Sequence, residues 1–184
     1  AAHIYLALQE ITAREITAKS PAVVTVGKFC GGHAPNIIPQ EVVIEGTIRT
    51  FNRDLSAQIL RRLDEISRAT AQAFRGSAIV EELASAPPLH NDCKLVDQMT
   101  DYGKELFGEQ SVYLMEEGGM GSEDFASYTY ELPCAYLMLG AGTPDETPLY
   151  GKPMHNEEVI FNEDILTKGT AIHAYCALRW LCGE

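Results

Sequence analysis

A mixed α/β and α+β fold in two segments follows from three features of the sequence. Residues 41–51 alternate in the two-residue period of a half-buried strand, with Val42, Ile44 and Ile48 on one side and Glu45, Thr47 and Arg49 on the other. Residues 55–74 place Leu55, Ile59, Leu63, Ile66, Ala73 and Phe74 at the three- and four-residue steps of a helix face. Pro87-Pro88 stops helix and sheet alike, dividing a first segment, residues 1–88, from a second, residues 89–184.

The elements follow in order. Ile4, Leu8 and Ile11 share one stripe of an opening helix that has no capping residue before it, and Ala1 is not a methionine, so a fragment of a longer protein is expected. Residues 22–29 are rich in β-branched side chains and predict a strand ended by Gly31-Gly32. The strand at 41–51 comes next. Asp54 is positioned to cap the long helix, Gly76 to end it, and residues 77–83 predict a third strand. Beyond the prolines, Asn91 is the expected cap of a helix carrying Leu95, Val96, Met99, Leu106 and Phe107, closed by Gly108. Residues 111–115 predict a strand, 118–121 a glycine turn, Ser122 the cap of a short helix through Phe125, and 134–139 a buried strand. Asn162 is the expected cap of a last helix reaching Trp180.

Composition narrows the function. The 184 residues carry 14 Lys and Arg against 26 Asp and Glu, a net charge of −12, which argues against nucleic acid or an anionic membrane as partner. No apolar run approaches the ~20 residues that span a bilayer, and no signal peptide opens the chain, so the cytoplasm is the expected compartment. Five cysteines, an odd number without CxxC spacing, are expected to be reduced and mostly buried, with Cys176 and Cys182 near one face of the last helix.

Several residues have the chemistry of a site. His155 follows a long loop after the strand at 134–139 and is a candidate metal ligand or acid/base; the alternative is a surface histidine beside Glu157 and Glu158. His33 lies in a turn, and His173 is expected to be a core histidine of the last helix. Residues 118–125, GGMGSEDF, put backbone N–H groups at a helix start, either a carboxylate or oxyanion cradle or an ordinary acidic first turn. Asn36 fits an Asx turn and Arg49 an exposed strand cation, while the two together would make a carboxylate clamp.

Four stretches, 31–39 (GGHAPNIIP), 45–51 (EGTIRTF), 121–125 (GSEDF) and 154–158 (MHNEE), carry a resemblance in the same order along the chain. Together they resemble the C-terminal half of the zinc-dependent amidohydrolase and metallopeptidase family of hippurate hydrolase, aminoacylases, auxin-conjugate hydrolases and the glutamate-releasing carboxypeptidase. The resemblance implies a ferredoxin-like lid, or dimerisation, domain that lacks its first strand, followed by the C-terminal part of an α/β catalytic domain. It also implies that His155 ligates one metal of a two-metal site, that Asn36 and Arg49 grip the substrate's carboxylate and carbonyl region, and that Gly121 lines the substrate pocket. Ser122, Glu123 and Asp124 are neighbours without an assigned role. The implied cofactors are two divalent ions per site in the full-length protein, zinc first and manganese, cobalt or nickel as alternatives, with few or none held by this segment.

The implied substrate is an N-acyl amino acid or small peptide, and the implied partner a second copy paired through the lid. The general-base glutamate and remaining ligands are expected upstream, so the segment alone is expected to be inactive. The rival reading is a non-catalytic ligand-binding or dimerisation module.

Overall fold

Helix α1, Ala2–Glu10, runs on through one wider, π-type turn, Ile11–Glu15, and its apolar stripe decides what the rest packs against. In the computed structural model, which describes residues 1–115 and 118–183, Leu8 and Ile11 are buried and Ile4 lies beside them. Strands β1, Ala22–Cys30, and β2, Val43–Thr50, pair antiparallel and send Val24 and Ile48 to the same cluster. Helix α2, Arg53–Ala73, brings Leu55, Ile59, Leu63 and Ile66. Ile59 is fully enclosed, and burying a side chain of that size contributes about 1.5–3 kcal/mol.

Two devices fix this arrangement. Arg62 of α2 donates from Nε and Nη2 to the two carboxylate oxygens of Glu15, at 2.6 and 2.7 Å, a two-pronged pairing that ties the helix to the π-type turn. The strand register shifts by one residue between Val26 and Lys28, leaving Gly27 as a β-bulge. Near it, Gly46 is required by close approach, since a Cβ there would stand 2.2 Å from the Thr25 carbonyl oxygen.

Helices α3, Cys93–Phe107, and α4, Ile165–Cys182, pack on each other farther along the chain. Buried Tyr102 meets Tyr175 edge to face at 6.4 Å, and the Arg179 guanidinium lies over both rings. Arg179 also pairs with Glu105 at 2.7 Å, closing the contact between the helices. The chain divides into two compact units, Ala1–Leu89 with Gly118–Ser127, and His90–Glu117 with Tyr128–Glu184. No helix among the described residues is long and apolar enough to cross a membrane.

Several expectations are corrected. The sheet of the described residues has two strands, and the segments 77–83, 111–115 and 134–139 form no ladder. A strand exists only where a neighbour takes its N–H and C=O groups, and an apolar pattern does not supply that neighbour. Ile79, Leu83, Tyr113, Leu114 and Met138 accordingly stand exposed.

Helix boundaries also move, because a cap needs a side-chain oxygen over the first free amides. Asn52, not Asp54, accepts from Leu55 N, and Asp92, not Asn91, accepts from Leu95 N. Helix α4 starts after Asp164, whose amide donates to the side chain of Asn162. Helix α2 stops at Phe74; Arg75, not Gly76, takes the left-handed conformation, and the amide of Gly76 donates to Ala71 O. Cys134 and Cys176 are buried, but Cys30, Cys93 and Cys182 are exposed, as is His173, which sits on the outer side of α4. Phe74 is exposed too, stacked on His3 with ring centroids 4.7 Å apart.

Candidate functional site

Arg49 stands next to last in β2, opposite Val23, on the face away from Ile48. It is half-buried, and its Nη1 donates to the carbonyl oxygen of Met120 at 2.7 Å. Two residues on, the Phe51 ring lies against Gly118, where a Cβ would come within 3.4 Å of Cε1. The end of β2 therefore holds the glycine segment at two points inside one unit.

That segment leads into a 3₁₀ helix, Asp124–Tyr130, which begins later than the expected Ser122 cap. Glu123 accepts twice, from Phe125 N at Oε1 (3.2 Å) and from Ala126 N at its carbonyl (3.2 Å), and Ala126 is fully enclosed. Gly121 is exposed with open space around its α-carbon, so its backbone is accessible to a ligand.

Asn36 belongs to the same unit, in an exposed turn where Ile37 N donates to Ala34 O at 3.3 Å. Among the hydrogen bonds of the described residues, none joins Asn36 to Arg49. His155 belongs to the other unit. It is exposed and adopts φ of 64°, a left-handed conformation uncommon outside glycine. The loop after it is shaped by Asn156, whose Oδ1 accepts from Glu158 N at 2.9 Å, and by the Lys152–Glu158 ion pair at 2.6 Å. Among the described residues no three His, Cys, Asp or Glu side chains are grouped to hold a metal ion.

Sequence reasoning missed three contributors. The Met120 carbonyl and the Phe51 ring have no sequence signature, since one is backbone and the other reads as a strand residue. Asn91, expected as a cap, instead accepts from Tyr136 N at 2.7 Å while Asp92 N donates to Cys134 O at 2.8 Å, fastening the start of α3 to residues 134–136. A hollow lined by His90, Asp92, Thr129 and Cys134 sits nearby and includes none of the candidate residues.

The model of peptidase family M20/M25/M40 matches residues 8–179. The chain belongs to that family. It is 30% identical over 178 residues to the hippurate hydrolase of Campylobacter jejuni, covering 97% of this chain and 45% of that protein. It is 34% identical to IAA-amino acid hydrolase ILR1-like 2 of Arabidopsis thaliana, covering 98% of this chain and 41% of the relative. The N-acetyl-L-cysteine deacetylase of Bacillus subtilis is 31% identical over 76% of this chain and 33% of its own length.

Among solved structures, a candidate aminohydrolase from methicillin-resistant Staphylococcus aureus superposes with a TM-score of 0.79 at 25% identity, over 98% of this chain and 45% of that one. The Bacillus subtilis YXEP protein, a dinuclear metal binding peptidase of the same family, shares the fold with a TM-score of 0.70 at 22% identity, over 96% of this chain and 44% of its own. The chain thus spans less than half the length of these relatives.

Proposed function

We propose that this M20/M25/M40 chain is the substrate-gripping part of a metal-dependent amidohydrolase that cleaves the amide bond of N-acyl amino acids or small peptides. The family match over residues 8–179 carries the reaction class, and the names of the hippurate hydrolase and N-acetyl-L-cysteine deacetylase relatives support the substrate class. In this reading residues 1–88 are the lid, with the order α1, β1, β2, α2 of a ferredoxin-like domain without its first and last strands, and residues 89–184 are the returning end of the catalytic domain. Arg49 and Asn36 grip the substrate's carboxylate and carbonyl region, and the Gly121 backbone lines the pocket. A guanidinium matches a carboxylate with two parallel N–H donors, so Arg49 suits the free acid end of an N-acyl amino acid.

His155 is one imidazole donor on an exposed loop. A protein metal site needs several such donors, and the described residues do not compose one. The work of this chain is therefore substrate binding, with His155 a single metal ligand and the remaining ligands and general base supplied by other parts of a longer polypeptide. Pairing of two copies through the lid belongs to the same reading.

The test is to assay the longer protein and the 184-residue chain side by side, with added zinc or manganese, on N-benzoylglycine, N-acetyl amino acids and dipeptides. Turnover by the longer protein alone supports the assignment. Binding of these compounds by the longer protein without turnover would favour a ligand-binding module, and turnover by the 184-residue chain would refute the division of labour.

A further inference from the structure

We propose that Arg49 is a positioning residue for the glycine segment Gly118–Gly121, setting through the Met120 carbonyl how the Gly121 backbone is presented. The inference rests on the reading of Gly121 as a pocket residue. Three observations carry it. The guanidinium is half-buried and donates to Met120 O at 2.7 Å, within the range of a strong charge-assisted bond. Gly118 lies beside the Phe51 ring, where a Cβ would stand in van der Waals contact at 3.4 Å from Cε1, so the segment meets a second point two residues along the same strand end. Gly119 and Gly121 have open space around their α-carbons, so side-chain packing does not hold them.

A stretch with three glycines in four residues has a large conformational freedom to lose, and the fixed points at its ends must restrain it. Arg49 supplies one such point through a group with five N–H donors, of which Met120 takes one. The same side chain can therefore hold the segment and face a carboxylate. A substrate carboxylate that drew the guanidinium away from Met120 would loosen the segment, so binding and presentation are linked at one residue.

Met120–Gly121 is the one Met-Gly pair in the 184 residues, so labelling methionine carbonyl carbon with ¹³C and glycine nitrogen with ¹⁵N isolates that peptide bond as a single correlation signal. Arg49→Ala is expected to displace the signal, and Gly118→Val to displace it with Arg49 intact, while Asn36→Ala leaves it in place. Far-UV circular dichroism accompanies each spectrum. Should Arg49→Ala lose helix signal, Arg49→Lys replaces it, because a single-headed ammonium alters the bond to Met120 while keeping the charge.

In the longer protein, Arg49→Ala is expected to reduce kcat/KM by roughly tenfold to a hundredfold on both N-benzoylglycine and N-benzoylglycinamide, the range for losing a hydrogen bond to a charged group. An unmoved signal overturns the proposal, as does a loss confined to the substrate with a free carboxylate, which would make Arg49 a clamp alone. If the unaltered longer protein hydrolyses neither compound, the amidohydrolase reading fails, and the labelled signal still decides whether Arg49 holds the segment.

Discussion

At the scale of single residues, the two glycines of the sheet separate steric need from permissiveness. Gly46 faces the Thr25 carbonyl so closely that a Cβ at 2.2 Å forces the backbone to move, whereas Gly27 at the bulge has open space. Gly46→Ala should therefore destabilise the fold by about 3 kcal/mol, the upper end for overpacking, while Gly27→Ala should change stability by less than about 1 kcal/mol. Urea unfolding followed by circular dichroism reads both, and equal costs would contradict the contact. In the longer protein His155→Ala should lower metal content and turnover together, measured by elemental analysis and assay; a variant unchanged in both would make His155 a surface histidine.

At the scale of elements, helix starts and ion pairs make distinct predictions. Asn52 accepts from Leu55 N, so Asn52→Ala should cost about 1 kcal/mol, and Asp54→Ala, which removes only a charge favourable to the helix dipole, about 0.3–1 kcal/mol. The Arg62 hydrogen bond holds the Glu15 carboxyl below its ordinary value against the opposing effect of burial. Glu105 is lowered in the same direction, first by its hydrogen bond with Tyr175 and then by that with Arg179.

A carboxyl lowered on folding leaves the unfolded chain binding more protons between the two values, so stability rises with pH across that window. The contribution is complete above the unfolded carboxylate value, ~4.3, and is lost as pH falls through the lower folded values. Glu15→Gln with Glu105→Gln should flatten the acid limb of urea midpoint against pH. A limb of unchanged slope would mean that neither pair contributes.

At the scale of the whole molecule, the chain spans less than half the length of its relatives, and much apolar surface stands exposed in both units. Ile79 and Leu83 in one unit, and Tyr113, Leu114 and Met138 in the other, lie in segments whose sequences read as strands but have no ladder partner among the described residues. Expressed within the longer polypeptide, these segments should gain amide protection against hydrogen exchange relative to the 184-residue chain, and equal protection in both contexts would show that they are loops by nature. If the lid pairs two copies and serves the neighbouring active site, mixing Arg49→Ala with His155→Ala protein should restore part of the activity through hybrid dimers. Failure to complement in dimers shown to be hybrid would assign both residues to their own chain.

The helices and the paired strands were legible locally, because α1, β1, β2 and α2 each declare their buried face through residue periodicity, and Leu8, Ile11, Ile48 and Ile59 all lie where that periodicity puts them. The sequence also marked Arg49, Asn36, Gly121 and His155 as chemically able side chains or backbone, since residue type and order are local facts. What it did not contain was partnership. Whether residues 77–83 or 134–139 form ladders depends on a neighbouring strand, and which of Asn91 and Asp92 caps α3 depends on a contact with residues 134–136. The bond from Arg49 to Met120 spans 71 positions and ends on a backbone carbonyl, a group every residue carries, so only the tertiary fold selects it.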